Sequence, residues 1–189
     1  MSRTGSERVP HGLELVIDFV NTLDVETAVD SIARPPELGA WLAERGLLVE
    51  RAAISPREHA AALRLREALR QLMLANNERD GDVGAAWSEL ERTARAGELG
   101  VHFTSPGAVS VAPGAGGVAG ALSKLLAPVA AGLADGSWAR VKACRADLCE
   151  WAFYDRSRNR SGVWCDMAVC GNRTKVRAYR SRGTANSSS

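Results

Sequence analysis

Apolar residues recur at helical spacing through the first three quarters of the chain. Leu13, Val16, Ile17, Val20 and Leu23, with Phe19 beside them, predict a helix over Leu13 to Val25. Arg34-Pro35-Pro36 breaks the chain, and Pro36 and Glu37 suit the first turn of a second helix that buries Leu38, Trp41 and Leu42 and stops at Gly46. Ser55-Pro56-Arg57-Glu58 then opens a long helix, with Ser55 as N-cap, Pro56 at N1 and Glu58 at the capping-box position. Its stripe is Ala61, Leu65, Ala68, Leu69, Leu72 and Met73, while Arg64, Glu67 and Gln71 face out. A fourth helix is predicted from about Val83 to Ala96, packing through Trp87 and Leu90. The period then shifts to two: Val101 and Phe103, then Val109 and Val111, flank Ser105-Pro106-Gly107 and predict a β-hairpin. Gly116 to Ala134 is the most apolar stretch, but Lys124 and Pro128 interrupt it, so it is expected to be a buried helix rather than a membrane span.

Charge divides the chain at Asp135-Gly136-Ser137. From Arg140 to Arg182 there are 11 Arg/Lys against 4 Asp/Glu, a net of +7; the other residues carry 13 against 18, a net of −5. An acidic body with a basic end points to a polyanionic partner for that end. Residues 1–136 are therefore read as a mostly helical domain with one hairpin, 137–182 as a small basic module, and 183–189 as a disordered polar tail. Met1 to Pro10 lacks an apolar run, so no secretory leader is expected there.

The chemistry of the module lies in its cysteines. Cys144 and Cys149 have four residues between them, as do Cys165 and Cys170, and fifteen separate the pairs. Each pair can close a tight turn with two sulfurs on one side, and the intervening segment can fold back to join the turns, as a tetrahedral site requires. Four thiolates suit zinc and leave no coordination position open, so the site is expected to be structural. An iron–sulfur cluster or disulfides are the rival uses of four cysteines. Ala139 to Ala143 and Glu150 to Tyr154 read as short strands, and Asp155 to Ser161 as a basic loop carrying Arg156, Arg158, Asn159 and Arg160. From Arg173 onward a helix is predicted; at ~100° per residue it places Arg173, Arg177 and Arg180 on one face. Val176 and Tyr179 lie beside them, Lys175 and Arg182 continue the charge on the other side, and Asn172 immediately precedes the stripe. Arginines meet phosphates, and Asn and Arg can also read base edges.

Asp155-Arg156-Ser157-Arg158-Asn159-Arg160-Ser161, Trp164-Cys165-Asp166-Met167 and Cys170-Gly171-Asn172-Arg173 together resemble the CGNR zinc-finger family. Upstream, Leu13-Glu14-Leu15 and Asp18-Phe19-Val20-Asn21-Thr22 resemble the start of the ABATE domain fused to it. The resemblance implies a bacterial, cytoplasmic regulator of transcription linked to stress, with zinc on all four cysteines. One departure is Gly162-Val163, where relatives carry further arginines before the tryptophan.

The fold class expected is α+β, mostly α, ending in a treble-clef-like four-cysteine zinc finger. The function expected is duplex DNA binding. The alternatives are a zinc-stabilised protein-interaction module and an RNA or single-strand binder using Trp151, Tyr154 or Trp164. Asn21 and Thr22, polar within an apolar helix, could line a ligand pocket or make a buried hydrogen bond. The N-terminal domain is expected to sense a small-molecule effector or to form a homodimer. No membrane partner is expected. His11, His59 and His102 are scattered, and no nucleophile–base set stands out, so no catalysis is expected.

Overall fold

The computed structural model describes residues 9–10, 12–49, 53–79, 81–146 and 148–176. His11, Arg177, Tyr179, Arg180, Arg182 and the tail 183–189 lie outside the described residues. The architecture is α+β and mostly helical, with three small antiparallel two-stranded sheets among the described residues.

Helix α1 (Leu13–Val20) buries Leu13, Val16, Phe19 and Val20. It stops five residues short of the predicted end. Thr22 Oγ1 donates to Phe19 O, a local bond that competes with the helix ladder. A small hairpin of β1 (Leu23–Asp24) and β2 (Val29–Asp30) follows, and its turn is fixed by Asp24 Oδ1 accepting from the Glu26 and Thr27 N–H groups. The sequence pattern did not predict this hairpin.

Helix α2 (Pro35–Glu44) begins where the prolines allow, with the Arg34 N–H donating to Glu37 Oε2. Helix α3 (Pro56–Ala75) opens with the predicted capping box: the Ser55 N–H donates to Glu58 Oε2, and the Glu58 N–H donates back to Ser55 Oγ. Leu65, Leu69, Leu72 and Met73 make it the central beam. Helix α4 (Gly84–Ala96) buries Ala86 and Leu90, but Trp87 is 41% exposed, contrary to its predicted packing role.

Strands β3 (Leu99–Thr104) and β4 (Ala108–Pro113) form the predicted hairpin, with Val101 opposite Val111 and Phe103 opposite Val109. The apolar stretch after it is two helices, α5 (Gly117–Lys124) and α6 (Leu126–Asp135). Pro128 has no N–H to give to the Lys124 carbonyl, which accounts for the break at Leu125. By length and apolarity the pair could cross a bilayer, yet half of it is buried in this fold, and Lys124 Nζ donates to Leu47 O. Gly136, at φ 78°, ends α6 in the left-handed conformation that glycine adopts without strain.

Strands β5 (Val141–Ala143) and β6 (Ala152–Tyr154) begin the C-terminal module. Val141, Ala143 and Ala152 belong to the same continuous core as α1 and α3. The basic module is thus packed against the helical body.

Candidate metal centre and basic surface

Local hydrogen bonding builds each half of the cysteine site. The Cys144 N–H donates to Trp151 O at the end of the β5–β6 hairpin, and the Cys149 N–H donates to Ala146 O, closing a turn inside its loop. The second half is a wide helical turn over Met167–Gly171. Asp166 caps it, accepting from the Ala168 and Val169 N–H groups. The Gly171 N–H reaches back five residues to Asp166 O. That wider winding suits a pair with four intervening residues, because it returns Cys170 beneath Cys165.

The four sulfurs lie within 4.8 Å of one another. Cys149 and Cys165 Sγ are 3.6 Å apart, and Cys165 and Cys170 Sγ are 3.7 Å apart. A tetrahedral zinc with Zn–S near 2.3 Å needs sulfurs about 3.8 Å apart, so the donor set fits zinc as it stands. A disulfide needs about 2.05 Å, and all four cysteines are free thiols. Burial pushes the Cys149 thiol up to about 12, although a backbone hydrogen bond from Trp151 opposes it. Burial, followed by the neighbouring sulfurs, raises Cys165 as well. A cation at the centre offsets that clustering of negative charge and allows four thiolates to coexist.

The basic loop is organised by a buried ion pair. Lys142 Nζ donates to Asp155 Oδ2 at 2.8 Å, and to the carbonyls of Arg160 and Gly162. Asp155 also accepts from the Ser157 and Gly162 N–H groups. Arg140 fixes the same loop by donating to Asp155 O and Ser157 O. A Cβ at Gly162 would meet Asp155 Oδ1 at 2.6 Å, so this lock requires a glycine there. Arg140 and Lys142 therefore shape the loop from beneath, a role the charge count alone could not separate from the others.

Asp155 gives a pH prediction. Burial opposes its ionisation, but the Lys142 bond and the Ser157 contacts outweigh this and hold its carboxyl below the usual range. A depressed pKa contributes stability that is present above the unfolded value, near 3.9, and is lost as pH falls through the folded one. Asp155→Asn is expected to cost about 2 kcal/mol at pH 7. It should also flatten the decline in urea-derived stability below about pH 4.

Arg156, Arg158, Asn159 and Arg160 are all exposed on this loop. Residues 172–176 are helical, and Asn172, Arg173 and Lys175 are exposed there. Two of these are partly engaged: Asn172 Nδ2 donates to Ala168 O, and Arg173 pairs with Glu26 in the β1–β2 turn. Among the described residues, Arg156, Arg158, Arg160 and Lys175 form no ion pair.

Asn21 and Thr22 line a groove of about 530 Å³ that also includes Trp41 and Trp151. Their polar atoms are occupied. Asn21 bonds both the N–H and the carbonyl of Ala152, and Thr22 Oγ1 accepts from Arg66. Asn21 thus extends the module's hairpin by one amide. Further donors along α3 and just beyond it do the same work: Arg70 to Glu150 O, Asn76 to Trp138 O and Val141 O, and Asn77 to Ala143 O and Val163 O. Sequence reasoning missed these docking residues. The consecutive Asn76-Asn77 at the end of a strong helix was the available signal.

Residues 13–136 match the family ABATE, described as "Putative stress-induced transcription regulator". The chain belongs to the ABATE family. Residues 140–183 match the CGNR zinc finger, which covers all four cysteines. ABATE and CGNR segments meet at the junction where the charge changes sign and where Asn76, Asn77 and Arg70 grip the finger. No match is found among curated proteins.

Proposed function

We propose that this ABATE-family protein is a cytoplasmic, duplex-DNA-binding transcription regulator whose finger holds one structural zinc on Cys144, Cys149, Cys165 and Cys170. The observation that carries the reading is the set of exposed cations that make no ion pair among the described residues, Arg156, Arg158, Arg160 and Lys175, on the two segments leading to and from the second cysteine pair. Zinc fixes those segments, and the cations meet phosphates while Asn159 stands among them for base contact. Arg177 and Arg180 extend the charge in sequence. The closed thiolate set supports binding rather than catalysis.

The test is fluorescence anisotropy with labelled genomic duplexes across a salt series. Four phosphate contacts give a log–log slope of about −3.6. Arg158→Ala should weaken binding to all sequences and make the slope shallower by about 1. Absence of binding at low salt overturns the reading. Leu148 and Met167, 62% and 60% exposed on the finger, favour a protein partner as the second reading. A partner retained after nuclease treatment would support it.

A further inference from the structure

We propose that the groove between α2 and the finger is a binding site for a small organic ammonium ion, and that Trp151 transmits its occupancy to the metal centre. The groove's volume, about 530 Å³, lies within the range of small-molecule sites, and such sites favour domain junctions. Here the helical body supplies every lining residue except Trp151, which comes from the finger.

The lining selects a cation. Asp18, Glu37 and Glu44 contribute three carboxylates against the single guanidinium of Arg45. Arg45 stacks over the Trp41 ring at 4.1 Å and so is drawn to one wall. Glu37 is held by Arg34 and Glu44 lies 3.9 Å from the Arg45 guanidinium, whereas Asp18 makes no ion pair among the described residues. Trp151 is 39% exposed, leaving part of an indole open to the groove. An indole face beside the unpaired Asp18 carboxylate, in a lining that carries three acids to one arginine, is a setting in which an alkylammonium gains both charge and cation–π attraction. An anion would meet a net negative wall.

The same residues lead to the cysteines. The Trp151 carbonyl accepts from the Cys144 N–H, and Trp151 lies two residues after Cys149 in the chain. The next residue, Ala152, is gripped on both main-chain groups by Asn21, which also lines the groove. A ligand touching Trp151 therefore acts on a residue that bonds Cys144 and adjoins the Ala152 held by Asn21. Only this regulatory consequence rests on the proposed function; the binding itself does not.

The test uses the full-length, zinc-loaded protein and 1,4-diaminobutane as the probe, with 1,4-butanediol as the uncharged control. Titration calorimetry at low ionic strength should give saturable heat with one diamine per chain and none with the diol. Asp18→Asn combined with Glu44→Gln should weaken the diamine roughly 10-fold without changing zinc content or melting temperature. Trp151→Phe, which keeps a ring, should weaken it less than Trp151→Leu. No saturable heat up to ~10 mM, equal binding of the diol, or indifference to the double substitution overturns the proposal. The measurement contains no DNA, so its failure is distinct from failure of DNA binding.

Discussion

Stripping zinc from the protein with a strong chelator is expected to unfold the finger and to destabilise the helical body with it. Structural zinc in small modules contributes on the order of 10–16 kcal/mol of apparent free energy. A whole domain is held by only about 5–15 kcal/mol. Besides the metal, the described part of the finger holds two strands of three residues each, buried apolar side chains at Trp138, Val141, Ala143 and Ala152, and the Lys142–Asp155 pair. Cys170→Ser should have the same effect, because Cys170 is 3% exposed and stands in the wide turn that positions its partner. Metal analysis should give one zinc per chain for the wild type and well below one for the variant, with a large fall in melting temperature. The body should be affected because Asn21, Arg70, Asn76 and Asn77 all donate to finger carbonyls. Without the finger these donors must be satisfied by water. A melt in which the helices are indifferent to the chelator would show that the docking bonds add nothing.

The second large effect is expected at Arg70. It is 1% exposed, and its guanidinium donates to Val20 O, Leu23 O, Glu150 O and the Glu67 carboxylate. This one side chain ties the end of α1, the first strand and the residue after Cys149 to the central helix. Arg70→Ala removes those donors, strands buried carbonyls and opens a cavity, at a combined cost of about 3–5 kcal/mol. Arg70→Met keeps most of the volume and should recover only the packing share. Urea midpoints at constant m-value measure the difference. Because Glu150 adjoins a cysteine, Arg70→Met should also weaken zinc binding, by about 10-fold in competition with a chelator. Loss of stability with unchanged metal affinity would confine Arg70 to the helical body.

Both expectations depend on features unequally visible in the sequence. The long central helix was legible to its first residue, because Ser55, Pro56 and Glu58 are local signals read within one turn. The cysteine quartet was legible too, since spacing within each pair is a local property that decides which sulfurs can share a turn. The break in the apolar stretch was half legible: Pro128 interrupts the pattern visibly, but its effect falls four residues earlier, at the carbonyl it leaves without a donor. Trp87 was assigned to the core by its period, and the structure leaves it 41% exposed. A helical period identifies a face without saying how wide the covering neighbour is.

Local order along the chain was enough to set the main helices, their caps, the position of the charge divide and a closed four-sulfur site. The helices, their caps and each cysteine turn follow from residues within about five positions of one another, where chain geometry leaves few alternatives; the charge divide and the joining of the two pairs across fifteen residues follow from composition and spacing over a longer stretch. What the buried and surface arginines do was set only when the elements packed. Arg66 and Arg70 carry no sequence signal that sets them apart from Arg64, which faces out, yet they are 4% and 1% exposed. Arg140 and Lys142 count toward the basic charge but spend it holding the loop. Arg173 is partnered by Glu26, 147 residues earlier in the chain. Asn21 finds its partner 131 residues away, on the finger's own hairpin. A polar side chain carries no local record of which distant carbonyl or carboxylate will face it; packing of the apolar core sets that meeting, and hydrogen bonding then fixes it.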